Sequence, residues 1–306
     1  MAEFPVTEVA SAGFRLVRER PKVAIIWAAI QFVALVAQNA FVEATADSAF
    51  EKLRVLISTS NTDPKQFALV LQGLEPTAAV LLAFSLVFSA FLYAAMNRAA
   101  LRPHADRFGY LRVGLDEVRQ FGVLALIAGL TMAACMAAGI VVSLVAELIA
   151  GAVGTAAASA LMLPALVLSL IAAIAVLNVR LSLASPLAFA TGRVNLFEAW
   201  RLTRGRFWML ARTYLMALAL GLLVWTLGLT IAAGVIATIS SGLGPVAAGT
   251  TPNADFFSPA NIAYLAFCAF ASGLTWPIWL MPPALIYHRL ARAHGLPDGA
   301  NGSRLA

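Results

Sequence analysis

Polar positions divide this chain into six apolar runs. The runs cover roughly residues 23–43, 76–96, 121–148, 158–180, 210–239 and 260–287. Each is at least as long as the ~20 residues an α-helix needs to cross ~30 Å of hydrocarbon. The pattern predicts an all-α fold: a polytopic membrane helix bundle of six transmembrane helices in three hairpins, forming a single integral membrane domain over 1–306.

Shorter stretches with helical periodicity lie between the runs. Over residues 6–20, Val6, Val9, Phe14 and Val17 fall near one face with Arg15, Arg18 and Glu19 elsewhere, which predicts an interfacial amphipathic helix closed by Pro21. Leu111, Leu115 and Val118 recur at helical spacing while Arg112, Asp116, Glu117 and Arg119 face away, which predicts a second surface helix before the third run. A third such helix, carrying Arg201, Arg204 and Arg206, precedes the fifth run. Each hairpin is thus expected to follow a cytoplasmic amphipathic helix.

Other local features refine the expected layout. From Asp47 to Glu75 the chain is polar, and Phe50, Leu53 and Ile57, then Phe67, Val70, Leu71 and Leu74, predict two short helices capping one membrane face. Gly129 and Gly139 stand among many alanines in the third run, a composition that lets helices approach closely. Pro186 interrupts the apolar continuation of the fourth run, which places that segment at the interface. Pro277, Pro282 and Pro283 break the sixth run. Discontinuous helices often line transport sites, although prolines are also tolerated in ordinary membrane helices.

Composition fixes the class. With 61% hydrophobic and 12% charged residues and a mean hydropathy of +0.86, the chain lies far from soluble domains, in which about a quarter of residues are charged. The net charge of +6 would suggest a polyanion partner in a soluble protein; in a membrane protein it matters where the charges lie. All but Lys52, Arg54 and Lys65 of the 21 Lys and Arg residues flank the same ends of the runs. The positive-inside rule makes that side cytoplasmic, with both termini inside. Ala44-Thr45-Ala46 has the small-x-small form of a signal-peptidase site. The run before it is a full span, longer than the roughly 7–15 residues of a signal sequence core, so it is expected to stay in the membrane. Cys135 and Cys268 sit alone in apolar runs and read as small hydrophobes.

The chain also echoes itself. Phe14-Arg-Leu-Val-Arg-Glu-Arg20 matches Trp200-Arg-Leu-Thr-Arg-Gly-Arg206 in order, each just before an apolar run. Even-numbered runs exit through an arginine and an apolar residue, as in Arg98-Ala99, Arg180-Leu181 and Arg289-Leu290. Three similarly oriented units result, unlike the inverted repeats of many secondary transporters. The stretch Arg180-Leu-Ser-Leu-Ala-Ser-Pro186, followed by Glu198-Ala-Trp-Arg-Leu-Thr-Arg-Gly-Arg206, resembles a broad set of bacterial six-helix proteins of unknown function. That set includes the membrane domain attached to some glycerophosphodiester phosphodiesterases. The resemblance covers about 35 residues. It implies a fold and a bacterial inner membrane location, with no phosphodiesterase domain expected in these residues and no site residues to carry over.

Catalytic signatures are missing: no HExxH, P-loop, GxSxG elbow or Rossmann fingerprint is present, and Gly242-Leu-Gly244 is a weak match in a polar loop. The expectation is a non-enzyme with no cofactor, no metal and no nucleic-acid partner. His104, His288 and His294 read as interfacial residues, and Glu147 as an acid snorkelling at the outer end of its span. Arg98, Arg180, Arg212 and Arg289 are expected at similar depth near the inner interface, either as a ring binding lipid phosphate or an anionic solute, or as plain anchors. Together with Arg201, Arg204 and Arg206 they are the candidate sites for anionic lipid. The expected role is association with anionic lipid or a protein partner, a second copy of the chain included. The alternative is transport of a lipid or small amphiphile.

Overall fold

The computed structural model describes residues 6–58, 64–103, 108–240, 258–295 and Pro297. His104, Arg107, the Gly242–Gly244 match and the C-terminal tail lie outside the described residues. Two short helices, α1 (Val6–Ala10) and α2 (Ala12–Glu19), precede α3 (Pro21–Ser58) and α4 (Pro64–Leu101). The chain continues through α5 (Leu115–Val153), α6 (Thr155–Leu181), the short α7 (Ala184–Thr191) and α8 (Leu196–Thr203), then α9 (Phe207–Ser240) and α10 (Pro259–His294). Among the described residues there is no strand, and six helices are long and apolar enough to cross a bilayer. The chain is an all-α, multi-pass membrane protein.

Its helices outrun the expected spans. α3 and α4 have 38 residues each, about 57 Å at 1.5 Å per residue. They absorb most of the polar stretch that the pattern divided into two short caps. Polar residues end an apolar run without ending a helix, because beyond the hydrocarbon a charged helix face is solvated. Pro76 sits inside α4, and Thr77 donates a hydrogen bond to Thr45 Oγ1 at 3.1 Å, joining α4 to α3.

α10 is the central post, packed against α2, α3, α4 and α9. It is one helix through Pro277, Pro282 and Pro283, so the expected break is absent. The approach of α2 is very close: a Cβ on Gly13 would stand 2.4 Å from the backbone of Ile278. Val9, Ala12, Gly13 and Leu16 are buried while Phe14 is exposed, so the first amphipathic segment packs on protein through a face that shares only Val9 with the expected apolar one.

Two further expectations change. Residues Ala184 to Phe189 of α7 are all buried, in the core with Leu210, Ile286 and Tyr287. Pro186 occupies the first turn of α7, where no backbone N–H has an intrahelical partner. It therefore helps to start a helix that is buried in protein. The stretch 111–119 forms no separate helix either, because α5 begins at Leu115 and runs unbroken into the membrane.

The echo between residues 14–20 and 200–206 extends to side-chain placement. In both, the aromatic residue and the first two arginines are exposed, and the last arginine is half-buried. α8 is capped by Asn195, whose Oδ1 accepts from the Glu198 N–H at 3.1 Å.

Candidate functional site

The arginine-rich end of the bundle carries a buried polar node, assembled from the end of α4, the connection after it and the first turns of α5. α4 delivers Asn97 and Arg98, 2% and 3% exposed. Downstream, Phe108, Gly109 and Tyr110 all have positive φ, at 47°, 65° and 65°. For non-glycine residues that conformation costs about 1–2 kcal/mol each, so the surroundings must hold it. Trp27 Nε1 donates to the Gly109 carbonyl at 2.9 Å. The Tyr110 carbonyl accepts from Arg98; its hydroxyl accepts from Arg20 and donates to the Pro103 carbonyl at 3.0 Å. The start of α3 and the residue before it are thereby tied to the end of α4 around one tyrosine.

α5 then presents acids to that knot. Arg98 donates to Glu117 Oε1 at 2.7 Å, with the two side chains 3% and 5% exposed. Asp116 lies 3.0 Å from Arg119, 3.7 Å from Arg98 and 3.8 Å from Arg102. The Phe189 ring sits beneath two of these cations, its centroid 5.7 Å from Arg98 and 4.8 Å from Arg102. A second layer lies one helical turn away. Asn97 donates to Ser185 Oγ at 2.8 Å, Ser185 Oγ donates to Gln120 Oε1 at 2.7 Å, and the Gln120 amide returns to the Ser185 carbonyl at 3.0 Å. Buried polar groups closed in this way specify one arrangement of α4, α5 and α7.

The polar side of α5 is buried where a solvated face was expected. Leu115 and Val118 are 70% and 64% exposed, whereas Glu117 and Gln120 are buried. A surface helix of a soluble protein turns its apolar stripe inward; beside hydrocarbon, the apolar stripe is the one that belongs outside. A recess of about 350 Å³ opens at this helix start, with Arg102, Arg112, Arg119 and Glu117 among its walls and Val113 and Leu115 beside them.

No family model, curated protein or solved structure matches the chain. The site is therefore interpreted from its own geometry.

Of the arginines expected to act together, Arg98 is the core of the node, and the others have separate surroundings. Arg180 lies between Trp200 and Phe207, 5.4 and 5.3 Å from their ring centroids. Its guanidinium donates to the Thr203 carbonyl at 3.4 Å, and Thr203 Oγ1 donates back to the Arg180 carbonyl at 3.1 Å. That pair docks α8 on the end of α6. Arg289 pairs with Glu8 at 2.5 Å, which fastens α1 to α10. Arg201, Arg204 and Arg212 are exposed, and Arg206 is half-buried with a bond to the Leu202 carbonyl at 3.3 Å.

Sequence reasoning placed Asp116 and Glu117 on a solvated face and passed over Asn97, Tyr110, Gln120 and Ser185. The available signal was the spacing of Glu117 and Gln120, one turn apart at the entry to a span, opposite an Asn-Arg pair at the exit of the previous one. Among the described residues no cluster of three His, Cys, Asp or Glu is arranged to hold a metal ion. Cys135 and Cys268 are both free thiols, the first half-exposed and the second buried.

Proposed function

We propose that this is a non-catalytic membrane protein of a bacterial inner membrane, with both termini cytoplasmic, whose basic end associates with anionic lipid. The observation that carries this reading is the surface of α8 and the start of α9. Phe197 and Trp208 are 88% and 74% exposed, and Trp200 is exposed with them, alongside exposed Arg201 and Arg204. Exposed aromatic rings interleaved with arginines suit the head-group layer, where the rings insert and the cations meet phosphate. Each such cation near an anionic surface contributes about 1 kcal/mol of attraction. Thr203 and Ala199, on the opposite side of α8, are buried, so the helix is held with this face outward. The resemblance of 180–206 to bacterial six-helix proteins is consistent with the same reading.

Transport draws less support. Its strongest motive was a broken sixth helix, and α10 is continuous and packed on several sides. The recess between α3 and α4, lined by Gln38, Asn39, Leu81 and Ser85, and the recess at the start of α5 are both formed without a residue of α10.

The test is lipid retention. The purified full chain in nanodiscs of equal parts phosphatidylglycerol and phosphatidylcholine should keep phosphatidylglycerol preferentially in native mass spectra. Reversing Arg201, Arg204 and Arg206 to Glu together should bring that preference down markedly. An unchanged preference would remove α8 as the lipid-facing element.

A further inference from the structure

We propose that α2 forms a second head-group site, separate from α8, which holds the phosphate of an anionic phospholipid through Arg15 and Arg18 with the Phe14 ring inserted beside it. The site lies on another element than α8, and it rests on the reading of α8 only for placing this end of the bundle at the head-group layer.

The echo between residues 14–20 and 200–206 points to it. A match in sequence alone would follow from any two spans that enter a membrane from the basic side. Here the match includes which side of each helix is free. Gly13 and Ala199, each just before the aromatic residue, are buried. Phe14 and Trp200 are 39% and 41% exposed, and Arg15, Arg18, Arg201 and Arg204 are exposed beside them. Residues three and four apart share a helix face. Phe14, Arg15 and Arg18 therefore present one ring and two guanidinium groups together.

α2 is held with this face outward. Ala12, Gly13 and Leu16 are buried, and the helix packs on α10. Ahead of it Glu8 pairs with Arg289 at 2.5 Å; behind it Arg20 donates to the Tyr110 hydroxyl. A face fixed at both flanks leaves little ordering to be done when a ligand binds.

Charge and position select the occupant. From residue 14 to 22 the exposed charges are Arg15, Arg18 and Lys22 against Glu19, three cations to one acid. Among the described residues none of the four takes part in an ion pair. α3 begins at Pro21, and Ile25 in its second turn is 60% exposed. Hydrocarbon-facing surface thus starts about 10 Å along the chain from the end of α2, at 1.5 Å per residue. A cationic face with an exposed ring, this close to hydrocarbon, meets the phosphates of its own leaflet. Inorganic phosphate would satisfy the guanidinium groups but leave the ring without a partner.

Counting retained lipids tests the site, in the same nanodiscs of equal parts phosphatidylglycerol and phosphatidylcholine and by the same native mass spectra. Arg15→Gln with Arg18→Gln should weaken retention of one phosphatidylglycerol by about 30-fold, the product of two cations that each supply about fivefold attraction, and leave the share held by α8 unchanged. Phe14→Ser, which alters no charge, should weaken retention of the same lipid to a lesser degree, and it tests the site by itself should the paired variant not fold. Joined to the triple reversal of Arg201, Arg204 and Arg206, the paired variant should lose more than either set alone. No loss from the α2 variants, with the α8 variant still losing its preference, would overturn the second site and leave the reading of α8 standing. Loss from the α2 variants alone would support α2 and remove α8, and no loss from any of them would overturn both. A combined variant that loses no more than one set would overturn the proposal by showing a single shared site. Displacement of phosphatidylglycerol by millimolar inorganic phosphate would overturn it in favour of a soluble anion.

Discussion

α10 with its neighbours and the α5–α6 hairpin are both built from apolar helices, yet they are solvated in opposite ways. In the most apolar stretch of α10, 50% of residues are buried in protein, against 0% for α5. α10 is also the least hydropathic of the six spans and α5 the most. The order is what a bilayer dictates. Residues such as Ser272 and Thr275, 5% and 0% exposed, need protein around them, whereas a wholly apolar helix is as well placed against acyl chains as against other helices. In a soluble protein the most apolar helix would have been the central one.

The two regions meet at the base of the hairpin. Among the described side chains of α5 and α6, the buried ones are Glu117, Gln120 and Val123 on the first and Val179 and Leu181 on the second. The largest effect is therefore expected at the joint between the regions. Arg98→Ala leaves Glu117 buried without its cation, which costs about 3–5 kcal/mol; Arg98→Met with Glu117→Leu should recover most of that. Reversible unfolding of the detergent-solubilised chain measures both. A double variant no more stable than the single one would show that the pair is not the joint.

Next in size is a change within the packed wall. Gly13→Leu puts a branched side chain where even a Cβ would meet the backbone of Pro277 and Ile278 at 2.4–2.5 Å. A backbone cannot swing aside as a flexible side chain can, so α2 would have to lift from α10, at a cost of about 3 kcal/mol. A thermal midpoint close to that of the native chain would contradict the close approach.

A smaller loss is expected in the second layer of the node. Ser185→Ala removes a hydroxyl that accepts from Asn97 and donates to Gln120. The Gln120 amide N–H keeps its bond to the Ser185 carbonyl at 3.0 Å, while Asn97 Nδ2 and Gln120 Oε1 lose the hydroxyl that joined them, so about 2 kcal/mol is expected. Ser185→Thr should lose less, provided its hydroxyl takes the same place. The same unfolding curves separate the two.

These contrasts also show what could be read in the sequence. The six spans, the arginine-rich end and the echo of 14–20 in 200–206 were legible, because each depends on local period or on which residues flank an apolar run. The rank of the helices was not. Gly13 and Gly139 look alike in sequence, and only the path of α2 across Pro277 distinguishes them. Glu117 was assigned to a solvated face because its neighbours Leu115 and Val118 form an apolar stripe, and a stripe has no direction until the surrounding medium is specified. The extension of α3 to Ser58 and of α4 back to Pro64 was missed for a related reason. Charged residues mark where hydrocarbon ends, and a solvated helix continues past them.

The smallest effect is expected on the hairpin, and it is the most discriminating. Gly129 and Gly139 were expected to let helices approach, yet within the described chain a Cβ on either would meet nothing within 4 Å. Gly139→Leu therefore adds a side chain that only lipid must accommodate, while replacing glycine in a helix gains up to about 1 kcal/mol in propensity. The unfolding free energy should change by no more than about 0.5 kcal/mol from packing, with any larger shift towards greater stability. A clear loss of stability, or a smaller assembly on size exclusion, would mean that this face of α5 is covered by a second copy of the chain, and the contrast between a protein-solvated α10 and a lipid-solvated α5 would then hold only within one protomer.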